Sequence, residues 1–299
     1  MFYCVAYNLA IKSDFPLPEL APATQGGDVI IRLLPEQPAH TARAIWWEPA
    51  LRRARFDFPG AGRFVVANGK QIFVMPEPPA DLPLLRLYIQ GMILAALLDQ
   101  RGFLVLHASV IQINNRAIAF VGPVGAGKST VAAALHARGH SVLSDDNAAI
   151  DWQSDFPSVM PAFPNLKVYP EIARTLGYDP AGLRVMHESQ TKQAQRVETR
   201  FAAAPAPLDR IYLLDRQGPS RPARLQPLET VTEMVRHSVP TRWAVTGDAG
   251  HLAKCARIAS RVPMFRTRTF SRLDEIGELA SRIEEHSAES PREAYANHG

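Results

Sequence analysis

The chain has 299 residues, 46% hydrophobic and 21% charged, with a formal net charge of +4. That length carries one large or two modest domains with a true core, and that composition excludes a disordered chain. Two distant cysteines, Cys4 and Cys255, argue against a disulfide scaffold or a zinc module and fit a reducing cytoplasm, while no basic run is dense enough to argue for nucleic acid.

The N-terminus, "MFYCVAYNLAIKSD", lacks the basic segment of a signal peptide. It reads as β-structure, as do "GDVIIRLL" and "RFVVANGKQIFVMP", the last split by the turn pair Asn68-Gly69. Proline clusters between these runs mark loops. A helix is expected over roughly 84–100, with Asp81 as its cap and Pro83 in its first turn. Within it, the most apolar run "GMILAALL" is too short to cross a bilayer, so no membrane partner is expected.

The segment "FLVLHASVIQINNRAIAFVGP" reads as a hairpin about Asn114-Asn115, with His107 on the strand before it. The second strand feeds "VGPVGAGKST", Val121–Thr130, which matches the phosphate-loop pattern G-x-x-x-x-G-K-[ST]. "KSTVAAALHARG" is a good helix, and "HSVLSDD" a short strand ending in two carboxylates. Downstream, "DRIYLLDR" and "PMFRTRTF" read as strands. "ETVTEMVRHSV", "DAGHLAKCARIASRV" (capped by Asp248) and "LDEIGELASRIEEH" read as helices. The last stretch, 287–299, reads as a frayed tail, and no internal repeat is present.

Strand, glycine loop, helix, strand and Asp, in that order, give the loop a chemical meaning. Gly122, Pro123, Val124, Gly125, Ala126 and Gly127 form the loop, whose N–H groups (Pro123 has none) turn inward as a nest for phosphate oxygens, and the helix behind adds its positive end. Lys128 can reach the β- and γ-phosphates of a nucleotide, Ser129 can place its hydroxyl on Mg²⁺, and Thr130 completes the motif. Of the pair after the strand, Asp145 is assigned to the metal side and Asp146 to the proton of an attacking hydroxyl. His107 is either a satisfied core residue or an imidazole aimed at the nucleotide. Lys167, in "FPNLKVYP", either lays its stem along the surface or stabilises the transferred phosphoryl group. "HESQTKQAQRVETR", with Lys192, Arg196 and Arg200, is either a solvated helix or loop, or a lid carrying cations.

The stretch "LHASVIQINNRAIAFVGPVGAGKSTVAAALHARGHSVLSDD" resembles the kinase domain of HPr kinase/phosphorylase. The shared features are the upstream His, the hairpin before the loop, "RGH" after the helix, and the Asp-Asp pair. With "YNLAIKSDFPLPEL", "DVIIRL" and "FPNLKVYP", it is similar above all to the stand-alone HPr-kinase-like proteins of lasso-peptide gene clusters, which phosphorylate a serine of the precursor peptide. The resemblance implies an α/β fold, with a P-loop kinase core of the phosphoenolpyruvate-carboxykinase-like type over 81–286 and a β-rich N-terminal domain over 1–80. It implies ATP and Mg²⁺ as cofactors, Gly122–Thr130 on the phosphates, Ser129 and Asp145 near the metal, and Asp146 as base. The implied activity is serine phosphorylation of a peptide or small protein, such as a lasso-peptide precursor. A small-molecule or HPr-like acceptor, a regulatory ATPase and a homo-oligomer stay open. A transporter ATPase is disfavoured, since no LSGGQ-like segment occurs, and no NKxD-like guanine-reading motif occurs either.

Overall fold

A computed structural model describes residues 1–153, 156–242 and 249–289. Residues 2–76 build an eight-stranded sheet from β1 (Phe2–Ala6), β2 (Leu9–Ser13), β3 (Ala21–Pro22), β4 (Val29–Leu33), β5 (Ala44–Glu48), β6 (Arg53–Phe58), β7 (Gly62–Ala67) and β8 (Gln71–Pro76), in the order β3-β1-β2-β4-β8-β7-β6-β5. The N-terminal run is two strands, not one, because Tyr7 and Asn8 both take positive φ (55° and 59°) and turn the chain back on itself. Asn68-Gly69 makes the expected tight turn, at φ 58° and 61°. Strand alternation follows the pleat, so Ile11, Val29, Ile31, Phe64, Ile72 and Val74 all point into one core.

That core is closed by a helix interrupted once: α1 (Leu82–Tyr88), a π-helical turn (Ile89–Ile93) and α2 (Leu94–Gln100). Asp81 caps it, its Oδ1 accepting from Leu84 N at 3.0 Å. Tyr88 stacks on Phe58 with centroids 4.0 Å apart, a pairing that adds about 0.5–1.5 kcal/mol beyond burial. The run read as too short for a bilayer thus belongs to a longer element. Leu82–Gln100 has 19 residues at hydropathy 1.5, enough to span by length and composition, but Leu85, Ile89, Ile93 and Leu94–Leu98 are buried against the first sheet.

The second sheet is mixed. Its members are β9 (Leu104–Leu106), β10 (Ser109–Ile113), β11 (Arg116–Val121), β12 (Ser141–Ser144), β13 (Ala148–Asp151) and β14 (Ser158–Val159), joined later by β18 (Ala206–Asp215), β19 (Ala223–Arg224) and β20 (Met264–Arg268). β10 and β11 form the expected hairpin, Asn114 and Asn115 taking φ 49° and 62°. β11 pairs parallel with β18, and β18 parallel with β20. A small antiparallel sheet of β15 (Asn165–Val168), β16 (Leu183–Val185) and β17 (Gln193–Arg196) lies alongside. The polar stretch expected as helix, loop or lid is therefore partly strand, because Gln193–Arg196 finds ladder partners on both sides.

Helix α3 (Lys128–Ala137) packs on this sheet with α8 (Ile276–Ala288), sharing a core of Phe120, Val131, Leu135, Tyr212, Leu279 and Ile283. α4 (Pro170–Thr175) follows β15. α5 (Pro227–His237), α6 (Val239–Arg242) and α7 (Ala249–Ala259) form a further layer, with Met234, Cys255 and Ile258 buried beneath it. α8 runs on to Ala288, so the first residues of the expected tail are helical; 290–299, and the expected cap Asp248, lie outside the described residues.

Candidate phosphate-binding site

β11 delivers the chain into the loop at Gly122, and α3 leaves it at Lys128. Gly127 takes φ 92°, and a Cβ there would lie 2.5 Å from Cε1 of Phe270, so the position admits only glycine. The loop is braced from within and behind. Ala126 N donates to Pro123 O at 3.1 Å, and Thr269 Oγ1 donates to Ala126 O at 2.7 Å. Lys128 Nζ, on a buried side chain, donates to the carbonyls of Gly122 (2.9 Å) and Pro123 (3.2 Å). As the cap residue, Gly127 has no side chain to satisfy the first N–H groups of α3, and these form an anion-binding end.

The facing wall comes from the end of β12. Asp145 is 4% exposed, and both of its oxygens are engaged by the protein: Oδ1 accepts from Ser109 Oγ at 2.6 Å, and Oδ2 from Lys167 N at 2.8 Å. It ties β10, β12 and β15 together. These bonds use one lone pair on each oxygen and give Asp145 a scaffold role beside the metal-side role expected of it. Asp146, next in sequence, points the other way. Its backbone sits at φ 83°, and its Oδ2 accepts from Lys167 Nζ at 2.7 Å. Burial of Lys167 opposes its charge, but the Asp146 carboxylate, and then Asp145, overcome this and raise its pKa. Lys167 thus remains an ammonium, paired with the carboxylate, and is no surface lysine.

His107 lies in the bend between β9 and β10, not on a strand. Its Nδ1 is 2.8 Å from the Asp146 carbonyl and 3.4 Å from Asp146 Oδ1. A carbonyl can only accept, so Nδ1 carries the hydrogen and the ring braces Asp146 from one side while Lys167 holds it from the other. The ring lines the cleft beside the phosphate loop.

Lys128, Ser129, Thr130, Asp146, Lys167 and His107 line one cleft of about 420 Å³, together with Val124, Gly125 and Gly127. Gly122, Pro123, Ala126 and Asp145 support it from behind. The sequence reading did not single out Tyr169, Glu171 or Phe270, which also face it. Lys192 belongs here too: its Nζ donates to Ser129 Oγ at 3.2 Å and lies 5.4 Å from the Tyr169 ring centroid. Arg196 does not; its Nη1 reaches the carbonyl of Pro18 at 2.8 Å. Among the described residues, no group of three His, Cys, Asp or Glu gathers at a metal position.

No family model matches the chain, and none of the curated proteins compared with it does. Among solved structures, it is similar to the HPr(Ser) kinase/phosphatase from Coxiella burnetii, at 12% identity and a TM-score of 0.37, over 64% of this chain and 93% of that one. At that score the likeness carries no argument, and the reading of the site rests on its own geometry.

Proposed function

We propose that the chain is an ATP- and Mg²⁺-dependent kinase that transfers the γ-phosphoryl group to a serine hydroxyl of a peptide or small protein. The sequence resemblance favours a lasso-peptide precursor as that acceptor. It also favours an HPr-kinase-like core over 81–286 behind a β-rich domain over 1–80. One observation carries the reading: a carboxylate, Asp146, held by Lys167 at 2.7 Å, shares a cleft with a phosphate loop and its lysine.

In this reading the N–H groups of the loop and of α3 hold the phosphate oxygens. Lys128 turns from its loop carbonyls to the terminal phosphates, where it offsets the charge of the leaving group. Ser129, next after the loop lysine, would hold Mg²⁺ through its hydroxyl oxygen once Lys192, which donates to it here, turned to the phosphates. Bound there, Mg²⁺ supplies neutralisation of the β- and γ-phosphates. Asp146 accepts the hydroxyl proton of the acceptor, while Lys167 and His107 hold the carboxylate in place.

The test is transfer from labelled ATP to candidate peptides, run beside MgATP binding. Lys128→Ala should lower transfer by about a hundredfold or more while the circular dichroism spectrum stays native. An unchanged rate would remove the phosphate-loop assignment. MgATP binding with transfer to no acceptor of any class would favour a regulatory ATPase.

A further inference from the structure

We infer that the acceptor enters through a second cavity, of about 210 Å³, on the far side of His107 and Asp146, and that it is a peptide segment whose hydroxyl residue is accompanied by an acidic side chain held by Arg43. The inference rests on the kinase reading above and adds the acceptor to it. Three features support it.

First, His107 and Asp146 line both cavities, so the candidate base stands in the wall between them. Phosphoryl transfer places the attacking and leaving oxygens on opposite sides of phosphorus. A donor in the phosphate-loop cleft and an acceptor arriving past Asp146 satisfy that requirement. The acceptor oxygen then bonds to the γ-phosphorus as the bond to the β–γ bridging oxygen breaks. The electron pair leaves with ADP and the hydroxyl proton passes to Asp146.

Second, the wall facing Asp146 is the π-helical turn that interrupts the helix. Such turns forfeit regular helix geometry and recur at functional sites. Here the turn is pinned by Asn147, whose Nδ2 donates to Gly91 O at 3.0 Å, and it offers Gly91 and Met92 to the cavity. A Cβ on Gly91 would meet nothing within 4 Å, so the backbone there borders open space. The volume equals that of about seven waters at liquid density, which admits one or two residues of an extended segment.

Third, Arg43 brings a positive charge to this cavity that no carboxylate pairs among the described residues. Its Nη2 lies 3.0 Å from Met92 Sδ, and its guanidinium sits 5.3 Å from the Phe58 ring centroid. Arg43 is exposed, so its guanidinium is open to a carboxylate from outside, and an acidic side chain beside the acceptor hydroxyl pairs with it in the forked geometry that guanidinium favours.

The probe is a degenerate peptide library with a fixed central serine, offered with labelled ATP to wild type, Arg43→Ala, Gly91→Ala and Gly91→Leu. MgATP dissociation constants are measured for each. Wild type should select Asp or Glu close to the serine. Arg43→Ala should lose that selection and about two- to fivefold in transfer, the worth of one exposed ion pair. Gly91→Leu should block transfer and Gly91→Ala reduce it partially, each with MgATP affinity unchanged. Transfer without acidic selection, full transfer by Gly91→Leu, or no peptide phosphorylated by a protein that binds MgATP would each overturn the inference and leave nucleotide binding standing. A wild-type protein that binds no MgATP would instead bring down the kinase reading, and this inference with it.

Discussion

Replacing Asp145 by Asn separates the role its hydrogen bonds imply from the metal role its place in the sequence suggests. The carboxylate accepts two bonds, from Ser109 Oγ at 2.6 Å and Lys167 N at 2.8 Å. Asparagine can keep both, its carbonyl taking the Lys167 N–H and its Nδ2 donating to Ser109 Oγ once that hydroxyl turns. What is lost is the charge assistance. A bond to an ionised group contributes about 1.5–3 kcal/mol and a neutral one about 0.5–1.5, so the two together cost about 2–3 kcal/mol. For a chain of this length that lowers the melting temperature by about 3–5 °C. Thermal unfolding followed by circular dichroism, without nucleotide, reads the first quantity, and calorimetric titration with MgATP reads the second. The melting temperature should fall by that amount while the MgATP dissociation constant stays within about threefold, a shift of less than 1 kcal/mol. An unchanged melting temperature with MgATP affinity reduced tenfold or more would refute the structural role and return Asp145 to the metal.

Asp146→Asn should lower turnover by about a hundredfold or more, the usual loss when a general base is removed, with MgATP affinity little changed; steady-state kinetics beside titration calorimetry checks this. Transfer should stop in excess EDTA and return with added Mg²⁺, and full activity in EDTA would count against Ser129 as the metal-side hydroxyl. His136 gives a pH dependence of stability. Burial, and then the charge of Arg200, lower its pKa from 6.5 to about 4. It stays neutral in the fold but gains a proton in the unfolded chain, so its contribution is whole above pH 6.5 and is lost as pH falls toward 4, at about 1.4 kcal/mol per pH unit. Denaturant unfolding of His136→Gln across that window should show a correspondingly shallower slope.

The phosphate loop could be read from the sequence because its chemistry is local: glycines, lysine and serine act within ten consecutive residues. Asn68-Gly69, Asn114-Asn115 and the Asp81 cap were legible for the same reason. The Tyr7-Asn8 turn was missed because tyrosine seldom adopts positive φ and gives no turn signal. The scaffold bonds of Asp145 were hidden, since they depend on Ser109 and on the backbone of Lys167, both brought in by strand pairing. The same holds for Gln193–Arg196, whose polar composition resembles a loop until β15 and β16 supply a ladder. Lys192 was noticed for its charge alone; its contact with Ser129 follows from where that hairpin lies. Phe270 gives no signal beyond its place after the last strand, although Gly127 needs its space.

The backbone at Asp146 pays a conformational penalty for the direction of one side chain. A non-glycine residue at φ 83° costs about 1–3 kcal/mol, and glycine would adopt that angle freely. Evolutionary drift has a direction at such a position. A duplicate of this chain released from selection on phosphoryl transfer could shed that strain with the carboxylate, but only if Lys167, whose burial the carboxylate offsets, changed with it. Glycine at position 146 beside an apolar residue at position 167 would therefore mark a copy that has traded its chemistry for a more robust fold.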